Sequence, residues 1–389
     1  MFWDLPAAAC VRSGDREDSA MKILISANSM FNVLNFRLGL VKALREIGHD
    51  VAILAPFDAD HAPLVAMGCE VRHLVMDNKG TSPMNDVQLV ARFVREFRML
   101  RPNLVLSYTI KNNIYGAMAS RRTNVTFVPT VTGLGTAFLA SSLLRQVACA
   151  LYRHAFKHLD HVVFQNCEDF GEFLKYRLVS QRQILLIPGS GVDTTRFQIA
   201  PMPSSDERKF LMIGRMLRDK GVEEYVAAAR ICKLADPRLR FSLIGPADAQ
   251  NNTAISLEQL QAWDKEGFVS YLGPREDVRS DIASAHCIVL PSYREGMSRV
   301  LLEAACMGRP LIATDVPGCR DIVEDGVNGY LCTPADSRDL ARKLQSIATL
   351  PVDVLTKMGH EGRAKVVKSF ADEIVIPAYL KMITETDRL

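Results

Sequence analysis

Four ionisable side chains in the second half of the chain have the types and spacing to handle a charged, hydroxylated ligand. Glu295 and Glu303 stand with seven residues between them in Pro291-Ser292-Tyr293-Arg294-Glu295-Gly296-Met297-Ser298-Arg299-Val300-Leu301-Leu302-Glu303. An apolar, β-rich run ends at Leu290, a loop carrying Glu295-Gly296 follows, and Ser298 can cap a helix that starts there. Backbone N–H groups and the positive end of the helix dipole then face the strand ends, which suits an anion such as a diphosphate. Gly296 lets the backbone approach closely. Glu295 projects from the loop and Glu303 from one to two turns into the helix, so the two carboxylates can accept from different hydroxyls of one elongated ligand. Glu303 is flanked by Val300-Leu301-Leu302 and Ala304-Ala305, which makes its helix mostly buried, and a buried carboxylate needs partners. The plainer reading, a solvated helix glutamate and a stray loop charge, does not suit those flanks.

The cations come from Ile213-Gly214-Arg215-Met216-Leu217-Arg218-Asp219-Lys220-Gly221, again a strand, a glycine-bearing loop and a helix. Arg215 offers a planar fork and Lys220 a compact ammonium. The combination suits phosphoryl oxygens and the charge that builds on a departing diphosphate.

The elements that must position these groups are legible as two similar halves. Strand-like runs begin at Lys22-Ile23-Leu24-Ile25-Ser26 and recur at Val51–Leu54, Asn103–Ser107, His161–Phe164 and Ile184–Ile187. The pattern restarts at Lys209–Ile213, Arg240–Ile244, Phe268–Leu272, Cys287–Leu290 and Leu311–Thr314. Helical stretches lie between, such as the one around Leu38, Val41 and Leu44 that Gly48 stops. Strands alternating with helices imply parallel sheets with right-handed crossovers. The predicted architecture is α/β, two doubly wound Rossmann-like domains facing a central cleft. Its boundaries are a loose extension over 1–20, an N-terminal domain over 21–195, a C-terminal domain over 196–368, and a helix over 369–389 returning to the N-terminal domain. The join falls in the Gly- and Pro-rich stretch near 190–205. Ligands of such folds sit at the carboxyl ends of strands, which makes the cleft the expected site.

Composition sets the outer bounds. A chain of 389 residues exceeds what one core usually organises. A net charge of +3 is too small to argue for nucleic acid as a partner. The nine cysteines are scattered with no C-x-x-C pair, which reads as reduced core thiols in a cytoplasmic protein. No apolar run reaches the roughly 20 residues that cross a bilayer, and the first twenty residues lack a signal peptide's apolar run.

Gly214-Arg215, Lys220-Gly221 and the Glu295/Glu303 spacing together resemble the donor site of the retaining family 4 glycosyltransferases, which have the GT-B fold. Gly191-Val192-Asp193 resembles that family's interdomain loop, Leu272-Gly273-Pro274-Arg275-Glu276-Asp277-Val278 its nucleobase loop, and Asp315–Val323 with Gly326–Gly329 its closing segment. The resemblance implies a nucleotide-sugar donor, commonly a uridine diphosphate sugar, with neither cofactor nor metal. Arg215 and Lys220 would hold the diphosphate, Glu303 the ribose, and Glu295 a sugar hydroxyl. Gly214, Arg275, Val278, Gly296 and the amides of Met297 and Ser298 would complete the donor pocket. Attack from the leaving-group face would need no protein nucleophile. In the N-terminal half, Asn35-Phe36-Arg37, Thr109–Gly116 and Val131-Thr132-Gly133-Leu134-Gly135 resemble the bacterial subgroup acting on polyprenyl-diphosphate-linked saccharides, including N-acetylgalactosaminyltransferases, with Asn112 in place of an expected proline. Asn35, Arg37, Lys111, Thr132 and Gly133 would then face a lipid-linked acceptor, on the inner face of the cell membrane. The alternatives are a nucleotide-sugar 2-epimerase of the same fold and a partner subunit that binds without chemistry. The intact set of Arg215, Lys220, Glu295 and Glu303 argues against the latter.

Other signals carry less. His154, His158 and His161 have helical spacing but lack the context of H-E-x-x-H, and Asp58-Ala59-Asp60 lies in a loop of the wrong architecture for a metal site. Gly133-Leu134-Gly135 and Gly189-Ser190-Gly191 lack the rest of a dinucleotide fingerprint. The segment from Phe138 to Lys157, with Arg145 and Arg153 among apolar residues, either lies on an anionic membrane surface or packs inward as an amphipathic helix.

Overall fold

The computed structural model describes residues 20–77, 82–134, 142–205, 207–247 and 253–387. Residues 1–19 of the extension expected over 1–20, with Gly135 and Phe138–Ser141, lie outside them. Among the described residues thirteen strands form two sheets. The first contains β1 (Lys22–Ser26), β2 (Asp50–Ala55), β3 (Glu70–His73), β4 (Leu104–Tyr108), β5 (Thr126–Val131), β6 (Val162–Phe164) and β7 (Ile184–Leu186), in the order β3-β2-β1-β4-β5-β6-β7. The second contains β8 (Lys209–Ile213), β9 (Arg240–Ile244), β10 (Ser270–Tyr271), β11 (Cys287–Leu290), β12 (Leu311–Thr314) and β13 (Gly329–Cys332), in the order β10-β9-β8-β11-β12-β13. Every pair in the second sheet is parallel, as are the pairs joining β1 to β5 in the first. Both sheets are doubly wound, as predicted. The strand order reverses between β1 and β4 in one and between β8 and β11 in the other. Ligands of doubly wound sheets bind at such reversals, outside the carboxyl ends of the strands.

The described chain divides into two compact units. One takes the residues through Thr130, His154–Val162 and the end from Tyr379; the other takes Val131–Arg153 and Val163–Ala378. In the first unit, Ile23, Leu24, Ile25, Val105 and Leu106 are buried, as are Leu89, Phe93 and Phe97 of the helix Pro83–Leu100. The helix Ile110–Thr123 lies close to β5, since a Cβ on Gly116 would meet the Phe127 ring at 2.7 Å. Asn112, at the position where a proline was expected, is fully buried and donates from Nδ2 to Ser26 Oγ at 2.9 Å. A proline there could not make that bond. Tyr379 of the final helix, Asp372–Asp387, brings its hydroxyl 3.5 Å from Thr130 Oγ1.

In the second unit successive residues of each strand bury on opposite faces of the six-stranded sheet, as the two-residue period of a strand requires. Phe210, Met212, Phe241, Leu243, Cys287 and Val289 enter one apolar cluster with Tyr225 and Trp263. Leu211, Ile213, Ile288 and Leu290 enter the other with Leu301, Leu302 and Ile322.

Three strands escape the sequence pattern. Glu70–His73 is polar and half-exposed, Thr126–Val131 contains Pro129, and Gly329–Cys332 opens on glycine. Each departs from the apolar, proline-free run that marks a buried strand.

Candidate functional site

The chain leaving β8 runs through Gly214 and the exposed Arg215 into a single 3-10 turn, Arg218–Lys220. Gly221 follows at φ 74° and opens the helix Val222–Ala235. Glycine is required there on two counts: the left-handed backbone, and a Cβ that would stand 2.1 Å from Pro291 O. This close approach seats the β8 loop on the loop leaving β11. Tyr293 N donates to Asp219 O at 2.9 Å and Ser292 Oγ to the same oxygen at 3.3 Å. Gly245, which the sequence reading passed over, has the same role below: at φ 146°, its Cβ would stand 1.7 Å from Gly214 O.

These contacts bring together residues 75 apart in sequence, with Lys220 Nζ donating to Glu295 Oε1 at 2.5 Å. Their side chains are 22% and 13% exposed, so the pair is partly desolvated and still open to a ligand. An ammonium has three donors, so the bond to Glu295 leaves Lys220 able to reach phosphoryl oxygens.

Glu303 takes a different partner. Ser298 caps the helix Arg299–Cys306 as expected, its side chain accepting from Leu301 N. Arg299 Nε donates to Glu303 Oε1 at 2.9 Å, and Arg299 Nη1 donates to Gly191 O at 2.6 Å. Burial pushes the Glu303 carboxyl up and the Arg299 guanidinium pulls it back. Arg299 was missing from the sequence reading; its signal was the i, i+4 spacing to Glu303. Asp372 lies beside Gly191, where a Cβ would stand 2.1 Å from Asp372 Oδ1. Burial raises the Asp372 carboxyl to about 6.

Gly296 does allow a close approach, and what approaches is Thr132-Gly133. A Cβ on Gly296 would stand 2.2 Å from Thr132 O, and one on Gly318 would stand 2.6 Å from Gly296 O. Thr132 and Gly133, expected on the acceptor side, therefore adjoin the Glu295 loop within the second unit. The Ser298 amide, expected to serve a ligand, donates to Gly318 O at 3.4 Å, a long bond that an anion would have to displace.

The other predicted residues are more dispersed. Arg275 is exposed, its Nε 3.7 Å from Asp281, and Val278 precedes the helix Arg279–Ser284 and packs on the apolar cluster. In the first unit, Asn35 is exposed and donates to Phe31 O at 2.9 Å. Lys111 pairs with Asp86 at 3.1 Å. Arg37 is buried with its guanidinium 3.8 Å over the Tyr108 ring, at the carboxyl end of β4. Thr109 follows at φ 76°, a left-handed conformation that a β-branched residue rarely adopts. Asp58 accepts from the amides of Met30 and Phe31, at the start of the helix Met30–Phe36. The helix Ser142–Phe156 buries Ala148, Cys149, Tyr152 and Phe156 while exposing Leu143 and Val147 one turn apart. Among the described residues no helix is long and apolar enough to cross a membrane.

Two family profiles match the chain: "Glycosyl transferases group 1" over residues 207–349 and "Glycosyl transferase 4-like domain" over 35–189. The N,N'-diacetylbacillosaminyl-diphospho-undecaprenol alpha-1,3-N-acetylgalactosaminyltransferase of Campylobacter jejuni is 25% identical over 379 residues, covering 93% of this chain and 98% of that protein. The capsular polysaccharide biosynthesis glycosyltransferase CapM of Staphylococcus aureus is 22% identical, covering 87% and 90%. Among solved structures, sucrose-phosphate synthase of Thermosynechococcus elongatus superposes with a TM-score of 0.78 at 20% identity, covering 94% of this chain and 98% of that one. Anabaena HepE in complex with UDP-glucose superposes with a TM-score of 0.76 at 20% identity, covering 94% and 100%.

Proposed function

Because the chain belongs to the group 1, family 4 glycosyltransferases of GT-B fold, we propose that it transfers a hexose or N-acetylhexosamine from a uridine diphosphate sugar to a saccharide carried on a polyprenyl diphosphate, in the assembly of a bacterial surface polysaccharide or glycan. The observation that carries this reading is the Lys220–Glu295 pair, held where the strand order of the six-stranded sheet reverses. In it, a cation suited to a departing diphosphate touches a carboxylate suited to a sugar hydroxyl. Arg215, on the same loop, adds a second cation, and Glu303, oriented by Arg299, accepts from the ribose. The acceptor class is supported by the C. jejuni relative, whose name specifies an undecaprenol-diphosphate-linked acceptor.

In this mechanism the donor diphosphate binds Arg215 and Lys220, which offset the charge that develops as the glycosidic bond breaks. The acceptor oxygen reaches the anomeric carbon from the face the diphosphate leaves, so configuration is retained and no protein nucleophile is needed. The positive charge that metal-assisted transferases obtain from an ion comes here from the two side chains, so turnover persists in EDTA. The exposed apolar side chains of Leu143 and Val147, with Arg153 exposed farther along the same helix, suit an anionic membrane surface at which a lipid-linked acceptor is met.

The test combines a thermal-shift screen of nucleotide sugars with an assay of nucleotide release with and without a polyprenyl-diphosphate-linked saccharide. The expected result is stabilisation by one uridine diphosphate sugar, release that depends on acceptor, and a product of retained anomeric configuration by NMR. Conversion of the donor without acceptor would replace this reading with the 2-epimerase one.

A further inference from the structure

Glu295 is gripped from outside its own loop. The helix Cys167–Lys175 opens on Asn166, whose Oδ1 accepts from Asp169 N at 2.8 Å. Asn166 Nδ2 then donates both to Asp169 Oδ2 at 3.0 Å and to Gly296 O at 2.8 Å. Asp169, fully buried, accepts at Oδ1 from Arg294 Nη2 at 2.5 Å. One polar turn thus holds the residue before Glu295 by a charged bond and the residue after it by a backbone carbonyl. All of these residues lie in the second unit.

Lys220 also binds the Glu295 carboxylate at 2.5 Å and Tyr293 N donates to Asp219 O at 2.9 Å, but the backbone amides at and just after Glu295 are held loosely. Glu295 N reaches Pro317 O at 3.3 Å and Ser298 N reaches Gly318 O at 3.4 Å, both long for N–H···O bonds. A displacement of about 1 Å at a reacting site can cost roughly a hundredfold in rate. The ion pair is also a poor choice if stability were its only role. Buried salt bridges recover little beyond their desolvation cost, and apolar residues of similar volume often serve as well or better. Geometric control of an adjacent group is what such a pair can supply and an apolar contact cannot.

We infer that Asn166 and Asp169 are positioning residues: they fix the backbone on both sides of Glu295 and thereby set its carboxylate against the donor sugar, without touching the donor themselves. The inference rests on the proposed donor role of Glu295. Because the grip acts on Glu295 and not on Arg215, it governs recognition of the sugar more than of the nucleotide.

The test uses the full chain with Asp169→Asn, Asp169→Ala and the double variant Asp169→Leu/Arg294→Met, which keeps apolar bulk in place of the ion pair. Three quantities are measured: amide hydrogen exchange over residues 294–298, affinity for UDP, and kcat and KM for the UDP-sugar. Exchange over 294–298 rises about tenfold or more in all three variants, while the rest of the six-stranded sheet keeps its protection. In the double variant the fold is retained and UDP affinity stays within about threefold of wild type, but kcat/KM for the UDP-sugar falls on the order of 10- to 100-fold. Wild-type kcat/KM in the double variant overturns the positioning role, and unchanged exchange in Asp169→Ala overturns the grip itself. If the wild-type protein turns over no UDP-sugar, the proposed function fails, and the exchange experiment still decides whether the turn holds the loop.

Discussion

Lys220→Ala separates the chemistry of the site from its architecture. The ammonium stands 2.5 Å from Glu295 Oε1, and the glutamate side chain is 13% exposed. Removing it has two effects of different size. The diphosphate loses one of its positive partners, and loss of one such preorganised contact costs on the order of 10²–10³ in rate, about 2.7–4 kcal/mol of transition-state stabilisation. The folded protein is left with a mostly buried carboxylate lacking its cation, a destabilisation of about 1–3 kcal/mol. The second variant, Lys220→Met/Glu295→Gln, removes the unpaired charge and keeps the volume, so it recovers most of the stability and none of the rate. The assay is kcat and KM for the UDP-sugar at saturating acceptor, with denaturant unfolding of the same samples. Turnover of Lys220→Ala within about tenfold of wild type would show that the ammonium is not the group offsetting leaving-group charge, whatever its effect on stability.

Gly296→Ala places a methyl group 2.2 Å from Thr132 O, a backbone atom that cannot swing aside. It should lower stability by about 1–3 kcal/mol and reduce turnover more than Lys220→Ala affects folding, and a variant of wild-type stability would mean the loop is not held where described. Asp372, raised by burial to about 6 from an ordinary 3.8, binds its proton more tightly folded than unfolded. Its contribution to stability therefore falls as pH rises from about 4 to about 6 and is least favourable above that window. Asp372→Asn should be more stable than wild type above pH 6 and show a flatter pH dependence between 4 and 6; denaturant midpoints across pH check this, and an unchanged slope counts against it. Arg309 is fully buried and donates to the carbonyls of Pro201, Ile282 and Ala283 at 2.7, 3.1 and 3.0 Å. Arg309→Met strands those carbonyls and should destabilise by about 3 kcal/mol in chemical unfolding, whereas a loss under about 1 kcal/mol would show that water replaces the guanidinium.

Much of the fold was legible in the chain because its strands are short, apolar and bounded by loops. The runs at Lys22–Ser26, Lys209–Ile213, Arg240–Ile244, Cys287–Leu290 and Leu311–Thr314 coincide with β1, β8, β9, β11 and β12. β3, β5 and β13 were missed because polar residues, Pro129 and Gly329 interrupt the pattern that a buried strand shows when it stands alone. In the candidate site, Ser298 was recognised as a helix cap from local chemistry, since a cap acts within one turn. Arg299 was not, although its i, i+4 relation to Glu303 is equally local, because Glu303 was read as a group free for a ligand and not as one already paired. Asn166 and Asp169 carry only the local signature of a helix cap, and their grip on the Glu295 loop gives no signal in the sequence because Gly296 and Arg294 lie 130 and 125 residues away.

The residue types and short-range order determined most of the elements, the doubly wound α/β class and the positions able to carry charge at strand ends, because side-chain periodicity, capping and glycine conformation act over a few residues. Which charges meet was decided only in three dimensions. Strand order in a parallel sheet places β8 beside β11 although 73 residues separate Ile213 from Cys287, and the glycines at 221, 296 and 318 then let four loops close to within backbone contact. From that packing come the pairing of Lys220 with Glu295, the diversion of Glu303 to Arg299 and the grip of Asn166 and Asp169 on the loop between them. An ion pair depends on separation in space, and separation along the chain says little about it once crossovers have folded the chain back on itself.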